Sequence, residues 1–154
     1  MRGVVGELGK ARPDDVTILD TEASIEHMTR GTVRTSDAVL LVTEPYFRSL
    51  ETTGRLAPLA RELGIPHVWA VANKVRTASD EAAVREYCDR HDIELLAIVP
   101  FDERVTDADN AGVAVLDHAP DGPAIVAATA LAQELEHRLM GRPNGTSHGD
   151  RGRS

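Results

Sequence analysis

Four short apolar runs, almost free of polar residues, constrain the fold of this chain more than any other feature. They lie at 16–19, 38–42, 67–72 and 93–99, and Gly or Pro residues adjoin them. A strand with one solvated face would alternate apolar and polar residues, so continuous runs are typical of parallel strands covered on both faces. Helix-like segments fill the intervals. The pattern predicts an α/β fold, a doubly wound, mostly parallel sheet with flanking helices.

Three intervening segments carry apolar residues at the spacing of one helix face. The first stops at Gly64 and contains Pro58, which we expect to kink it or weaken its first turns. The second begins at Thr77-x-x-Asp80, a capping-box pattern, and the third has Pro123 in its first turn. The predicted apolar faces are Leu50, Thr53, Leu56, Ala60 and Leu63; then Ala83, Val84, Tyr87 and Cys88; then Ile125, Ala128, Ala132, Leu135 and Leu139.

Length and composition predict one globular domain over 1–140 and a disordered tail over 141–154, which is rich in Gly, Arg and Ser. The net charge of −8 and the 3% aromatic content argue against binding to nucleic acid or to an anionic membrane. No apolar run approaches the ~20 residues of a membrane helix, so we expect a cytoplasmic protein. Cys88 is the sole cysteine and is expected in the core.

Polar or loop-forming residues follow three of the apolar runs. They are Asp20 after the first run, Asn73 and Lys74 after the third, and Pro100, Phe101 and Asp102 after the fourth. The carboxyl ends of parallel strands meet in the crevice where open α/β sheets bind ligands. A carboxylate there can hold Mg²⁺ through water, an Asn amide can read a purine edge while a Lys stem packs along the base, and a loop can wall a base. These residues therefore predict a nucleotide site.

Each of these residues also has a simpler structural interpretation. Asp20 alone is more readily explained as a helix cap, and an Asn-Lys pair is common in turns. Pro100 can merely end a strand while Phe101 fills the core. Their recurrence at three strand ends favours the site.

The stretch 15–31, DVTILDTEASIEHMTRG, resembles the Walker B and switch II region of CooC-type ATPases, which has the pattern D-x-E-A-G-x-E-H-x-x-R-G. The segments LLVTEP, VANKV and IVPFDERVTDADNAG follow in the order of that family, and the resemblance covers roughly residues 4–139. The family groups with MinD and ParA in the SIMIBI class of P-loop NTPases. A response-regulator-like flavodoxin fold is a weaker alternative, because it gives no reason for the E-A-x-I-E-H-x-x-R-G stretch.

The resemblance implies ATP and Mg²⁺ as cofactors and assigns roles to residues. Asp20 matches the Walker B acid that positions Mg²⁺ through water. Glu22 and Ser24 fall in the switch II segment that senses the terminal phosphate. Asn73 matches the adenine-reading residue, with Lys74 beside it. The loop of Pro100, Phe101 and Asp102 flanks the base.

Three departures from the family pattern shape the expected function. The 154 residues contain no K-G-G-x-G-K-T/S loop, whose amides and lysines wrap the phosphates, and Ser24 replaces a glycine. The C-x-C pair of nickel-handling members is also absent. We therefore expect a degenerate or split ATP-binding domain that acts as a binding or regulatory partner without independent ATPase activity.

Two alternatives remain open. One is an ATPase, of the metallocentre-maturation or partitioning type, completed in trans by a chain that carries the Walker A half. The other is a truncated structural remnant with no ligand. In this fold class the P-loop strand lies beside the strand ending in Asp20. Without it, either runs 16–19 and 38–42 pair directly or an apolar edge stays open, which favours self-association or a partner that supplies the missing half.

Overall fold

The computed structural model describes residues 16–21 and 36–141 of the chain. A three-stranded parallel sheet lies at the centre of the longer of these two segments. The strands lie side by side in chain order, and all run in the same direction. Their bounds are β1 Ala38–Thr43, β2 His67–Val75 and β3 Glu94–Pro100. The predicted α/β architecture with flanking helices is confirmed, and three of the four predicted strands are present.

Five helices connect or follow the strands within the described residues. They are α1 Phe47–Glu62, α2 Ala78–Arg90, α3 Glu103–Ala111, α4 Val115–His118 and α5 Pro123–Met140. The capping box predicted before α2 is present, because the Thr77 side chain accepts from the Asp80 amide and Asp80 accepts from the Thr77 amide. Pro58 lies inside α1, and the helix continues on both sides of it.

The main core lies between the sheet and the helices α1 and α2. Leu56 and Ala60 of α1 and Val84 and Cys88 of α2 are almost fully buried in it, together with sheet residues such as Ala70. Burying one Leu side chain stabilises a fold by roughly 1.5–3 kcal/mol. The core position predicted for Cys88 is confirmed, whereas Ala83, predicted on the same stripe, is exposed.

The opposite face of the sheet is covered only in part by described elements. The Trp69 ring lies outside the main core, and the Arg138 guanidinium of α5 approaches it at 5.5 Å. At β1 the Val42 side chain is 59% exposed. The expectation that every apolar run is covered on both faces is therefore wrong for β1, because no described element packs on Val42.

The buried face of α5 agrees with the predicted one only in part, because three of the five predicted residues are half-buried, namely Ile125, Leu135 and Leu139. Ala128 and Ala132 are exposed, whereas Ala124 is buried and Leu131 is half-buried. Apolar residues surround most of the first three turns of this helix, so spacing alone did not single out the face that β3 would cover.

The predicted strand at 16–19 is absent. Residues Val16–Thr21 form neither strand nor helix, and all are exposed, Ile18 to 86%. An apolar run becomes a strand only when another strand supplies its hydrogen-bond ladder. Direct pairing of 16–19 with β1 is therefore excluded in this structure. The predicted site residues Glu22 and Ser24 lie outside the described residues, as does the predicted tail except for Gly141.

Candidate functional site

The carboxyl ends of the three strands bring together residues that are far apart in sequence. Glu44 follows β1, Asn73 and Lys74 lie near the end of β2, and Phe101 follows β3. Because the strands are parallel and adjacent, these ends form one continuous edge. The structure places the ends of β2 and β3, which follow from the third and fourth apolar runs, side by side.

Asn73 and Lys74 lie within β2 rather than in a turn after it. The pairing of β2 with β3 shifts register between Ala72 and Val75, which marks a bulge. At this bulge Lys74 has φ +57°, in the left-handed region that non-glycine residues rarely adopt. The Oδ1 atom of Asn73 accepts from the Lys74 amide at 3.0 Å, so the side-chain NH₂ of Asn73 is the donor that remains for a ligand.

The Lys74 side chain reaches back to the first strand. Its Nζ atom lies 2.9 Å from Oε1 of Glu44, and the two side chains are 55% and 31% exposed. The Glu44 amide in turn donates to Oγ of Ser49, in the first turn of α1, at 2.9 Å. The Lys74 stem was expected to pack along a base; in the structure the ammonium at its end is held by Glu44, which follows the neighbouring strand.

Phe101 is joined to the end of β2 by its backbone and by its ring. Its amide donates to the carbonyl oxygen of Val75 at 2.8 Å. The guanidinium carbon of Arg76 lies 3.4 Å from the centre of the Phe101 ring, in cation–π contact. Phe101 is half-buried and Arg76 is exposed, so the ring is covered by the arginine on this side.

Asp102 caps helix α3. Its carboxylate accepts from the amide of Arg104 at 3.1 Å and from the Arg104 side chain at 3.2 Å, and it lies 3.5 Å from the Ala124 amide. Burial on its own would raise the pKa of Asp102, but the hydrogen bonds from Arg104 and Ala124 hold that pKa below its ordinary value. A carboxylate with these contacts anchors the loop against α3 and α5. This structural role explains the position of Asp102 without a ligand.

Asp20, the predicted Mg²⁺ residue, differs from the residues at these three strand ends because, among the described residues, no paired strand precedes it. It lies in the exposed segment Val16–Thr21, not at the end of a paired strand. The Mg²⁺ side of the predicted site therefore has no built geometry among the described residues. Within that same portion of the chain, no group of three or more His, Cys, Asp or Glu side chains is arranged to hold a metal ion.

An open groove lies at the opposite, amino-terminal edge of the sheet. Residues after α1 and α2, including Pro66 and Asp92, line it together with Trp69 and Glu94. None of the predicted site residues that the structure describes borders this groove, so the groove is separate from the described part of the candidate site.

Comparison with known proteins identifies relatives of the chain. The carbon monoxide dehydrogenase accessory protein CooC of Rhodospirillum rubrum is 38% identical over 106 residues, which is 69% of this chain and 40% of that protein. An uncharacterised ATP-binding protein of Methanocaldococcus jannaschii is 40% identical over 99 residues, 64% of this chain and 38% of that protein. The chain is similar in sequence to CooC and to this ATP-binding protein. It resembles part of such a protein, since it spans about two fifths of the length of these curated relatives.

Solved structures show the same fold as the described part of this chain. The MinD cell division protein of Aquifex aeolicus superposes with a TM-score of 0.59 at 22% identity, over 74% of this chain and 48% of that one. A ParA family ATPase of Chlorobium tepidum gives a TM-score of 0.60 at 22% identity, over 73% and 47%. No family model matches the chain. Among the described residues, no helix combines the length and apolar character needed to cross a bilayer.

The sequence analysis did not single out Glu44 and Arg76, which the structure places at the candidate site. Glu44 follows the second apolar run by two residues, and the strand-exit argument applied to the other runs would have found it. Arg76 carries no comparable signal, because its contact with Phe101 depends on the bulge in β2 and on how β3 ends beside it.

Proposed function

We propose that this chain contributes the base-binding side of an ATP-binding domain of the CooC/MinD type. The observation that carries the proposal is the convergence of Asn73, Lys74 and the loop Pro100–Asp102 at one edge of the parallel sheet. A donor amide, a cation and a half-buried aromatic ring at such an edge suit a nucleotide base. The relative of Methanocaldococcus jannaschii at 40% identity, an ATP-binding protein by name, supports ATP as the nucleotide.

Different residues would bind the base, the Mg²⁺ ion and the terminal phosphate. The free NH₂ of Asn73 would donate to an acceptor on the base edge, and the loop after β3 would flank the base. Asp20 would position Mg²⁺ through water, and Glu22 and Ser24 would sense the terminal phosphate. The magnesium and phosphate roles are supported only by the family resemblance.

The 154 residues on their own are proposed to lack ATPase activity and to act as a binding or regulatory partner in the cytoplasm. They contain no K-G-G-x-G-K-T/S loop to surround a triphosphate. Stabilising charge on the transferring phosphoryl group is the main catalytic contribution in such enzymes, and one positioned donor is typically worth ~3 kcal/mol. With the whole loop absent from these residues, we expect negligible turnover.

Calorimetric titration of the purified chain with Mg²⁺-ATP tests the binding proposal. We expect a millimolar dissociation constant or weaker, and we expect Asn73→Ala to weaken it further. Gln133→Ala is the matched control, because Gln133 is an exposed amide on α5. A micromolar dissociation constant, or ATP turnover that Asp20→Ala abolishes, would contradict the proposal. No binding at all would favour a structural remnant without a ligand.

Among the described residues β1 is an edge strand, and this favours a second candidate function, an ATPase completed in trans. β1 ends the three-stranded sheet, and Val42 beside this edge is 59% exposed. An unpaired apolar edge is a template for a strand from another chain. Such a strand could belong to a second copy or to a protein that carries the P-loop half.

Sedimentation and mixing experiments test this second candidate. We expect the chain to self-associate at micromolar concentration, or to bind a polypeptide that carries a strand followed by a K-G-G-x-G-K-T/S loop. Val42→Lys should weaken either association, because a charge on an exposed edge opposes strand pairing. A monomer that melts cooperatively and ignores such a polypeptide would exclude this candidate.

A further inference from the structure

Arg76 and Phe101 form a stacked pair at the candidate site. The guanidinium carbon lies 3.4 Å from the ring centre, which is direct contact between two planar groups. Phe101 is half-buried beneath it, and Arg76 is exposed. The guanidinium carbon thus lies over the ring, and Arg76 is the more exposed residue of the pair.

The backbone holds this pair in place from both sides. The Phe101 amide donates to the carbonyl oxygen of Val75, the residue before Arg76. The Arg76 amide donates to Oδ2 of Asp80 at 3.0 Å, and the same oxygen accepts from the Thr77 amide in the capping box of α2. Two strand ends and one helix start therefore fix the position from which the Arg76 side chain extends.

The other cation at the end of β2, the Lys74 ammonium, is held in an ion pair. Lys74 Nζ is bound to Glu44 at 2.9 Å, so its ammonium is directed to an acid. Among the described residues, the Arg76 guanidinium forms no ion pair. Of the two cations at the end of β2, Arg76 is the one that presents a flat, weakly hydrated surface to a ligand.

We propose that Arg76 is the base-stacking residue of this site, with Phe101 supporting the inner face of its guanidinium and a nucleotide base stacking on the outer face. This inference rests on the proposed nucleotide-binding function and deepens it. Guanidinium planes are established stacking surfaces for bases, and such stacking is tolerant of base identity because every base has a π face. Selection among bases would then fall to the Asn73 amide.

Titration of the full 154-residue chain with adenosine isolates this contribution, because adenosine carries no phosphate to interact with the arginine charge. Binding is followed by amide chemical shifts in ¹H–¹⁵N spectra, which also report whether each variant is folded. We expect Arg76→Ala to weaken adenosine binding about tenfold. Arg76→Lys keeps the charge but loses the plane, and we expect at least a fivefold loss. Arg85→Ala, which removes an exposed arginine on α2, should change binding less than twofold.

The outcomes separate this inference from the proposed function. If wild type binds and Arg76→Lys binds equally well, charge rather than stacking explains the role and the inference is overturned. If Arg76→Ala binds adenosine more tightly than wild type, the Arg76 side chain blocks access of the base to the Phe101 ring instead of providing a stacking surface. The inference is then again overturned. If neither adenosine nor ATP changes the amide chemical shifts of wild type up to the solubility limit of the ligand, the proposed function and the inference both fail.

Discussion

The Lys74 ammonium lies 2.9 Å from Oε1 of Glu44, and this contact joins the ends of β1 and β2 at the candidate site. The backbone of Lys74 is left-handed, with φ +57°, at the bulge that precedes Val75. A residue in a disfavoured conformation persists when its surroundings determine it, and such residues concentrate at binding sites. The ion pair is half exposed, so it orients the side chain more than it stabilises the fold.

The left-handed conformation of Lys74 predicts an unusual order of stabilities. Lys74→Gly should stay within ~1 kcal/mol of wild type, because glycine adopts this φ without strain. Lys74→Val should lose about 2 kcal/mol, because a β-branched side chain is strained there. Glu44→Gln, which removes only the ion pair, should cost less than ~1 kcal/mol. Urea unfolding measures all three, and equal stability of the Gly and Val variants would refute the assigned backbone conformation.

Gly54 should reject alanine although it lies inside a helix. Alanine is ordinarily favoured over glycine there by about 1 kcal/mol. A Cβ on Gly54 would overlap the hydroxyl of Tyr87, across the interface between α1 and α2. We expect Gly54→Ala to lower the free energy of unfolding by ~1–3 kcal/mol. Adding Tyr87→Phe should restore most of the loss, and a double variant no more stable than Gly54→Ala would place the clash elsewhere.

Tyr87 should make the fold sensitive to alkaline pH. Burial raises the pKa of Tyr87, the hydrogen bond to Glu51 and the Glu51 charge raise it further, and Arg90 and Arg55 oppose the change. The folded state therefore keeps the phenol proton to higher pH than the unfolded state does. This stability is present below the ordinary tyrosine pKa of about 10 and is lost as the pH rises through the folded pKa. Free energies of unfolding measured across that range should fall more steeply for wild type than for Tyr87→Phe; parallel curves would contradict the expectation.

Asp102 should act through helix capping and through its charge, and two variants separate these effects. Asn retains good capping ability whereas Ala does not, so Asp102→Ala should melt about 5 °C below wild type and Asp102→Asn less far below it. Because the folded pKa of Asp102 is lowered, its charge stabilises the fold above the ordinary aspartate pKa, and that stability is lost as the pH falls through the folded pKa. The difference between wild type and Asp102→Asn should therefore shrink on acidification in thermal melts, and a difference that grows would reverse the assignment.

Arg138 should fasten helix α5 to the sheet. Its NH1 atom donates to Glu94 at 2.6 Å, and the other oxygen of Glu94 accepts from the Trp69 indole at 2.9 Å. Hydrogen bonds to Glu134 and Glu94 raise the pKa of Arg138, in that order. Arg138→Ala should cost ~1 kcal/mol, and Arg138→Met, which keeps an apolar stem over the ring, should cost less. Fluorescence of Trp69, the sole tryptophan, reports the change, and unchanged emission in both variants would show that α5 is held by other contacts.

The local signals in the sequence were sufficient wherever one element decides its own structure. The capping box before α2, the apolar face of α1 and the runs that became β1, β2 and β3 all follow from short-range spacing. The same reasoning went wrong at 16–19 and on the Ala128 side of α5. There, the outcome depended on whether another element was present to pair with or to cover the segment.

At the candidate site, too, some features follow from local sequence and others depend on neighbouring elements. The sequence by itself determined that polar residues follow parallel strands, and so that Asn73, Lys74 and Phe101 would meet at one edge. Only the tertiary structure decided that Lys74 turns to Glu44, that Arg76 lies on Phe101 and that Asp102 caps a helix. The positions of strands along the chain are encoded in local patterns of hydrophobicity, whereas the partner of a long charged side chain depends on register, a bulge and the competition among neighbours brought close by folding.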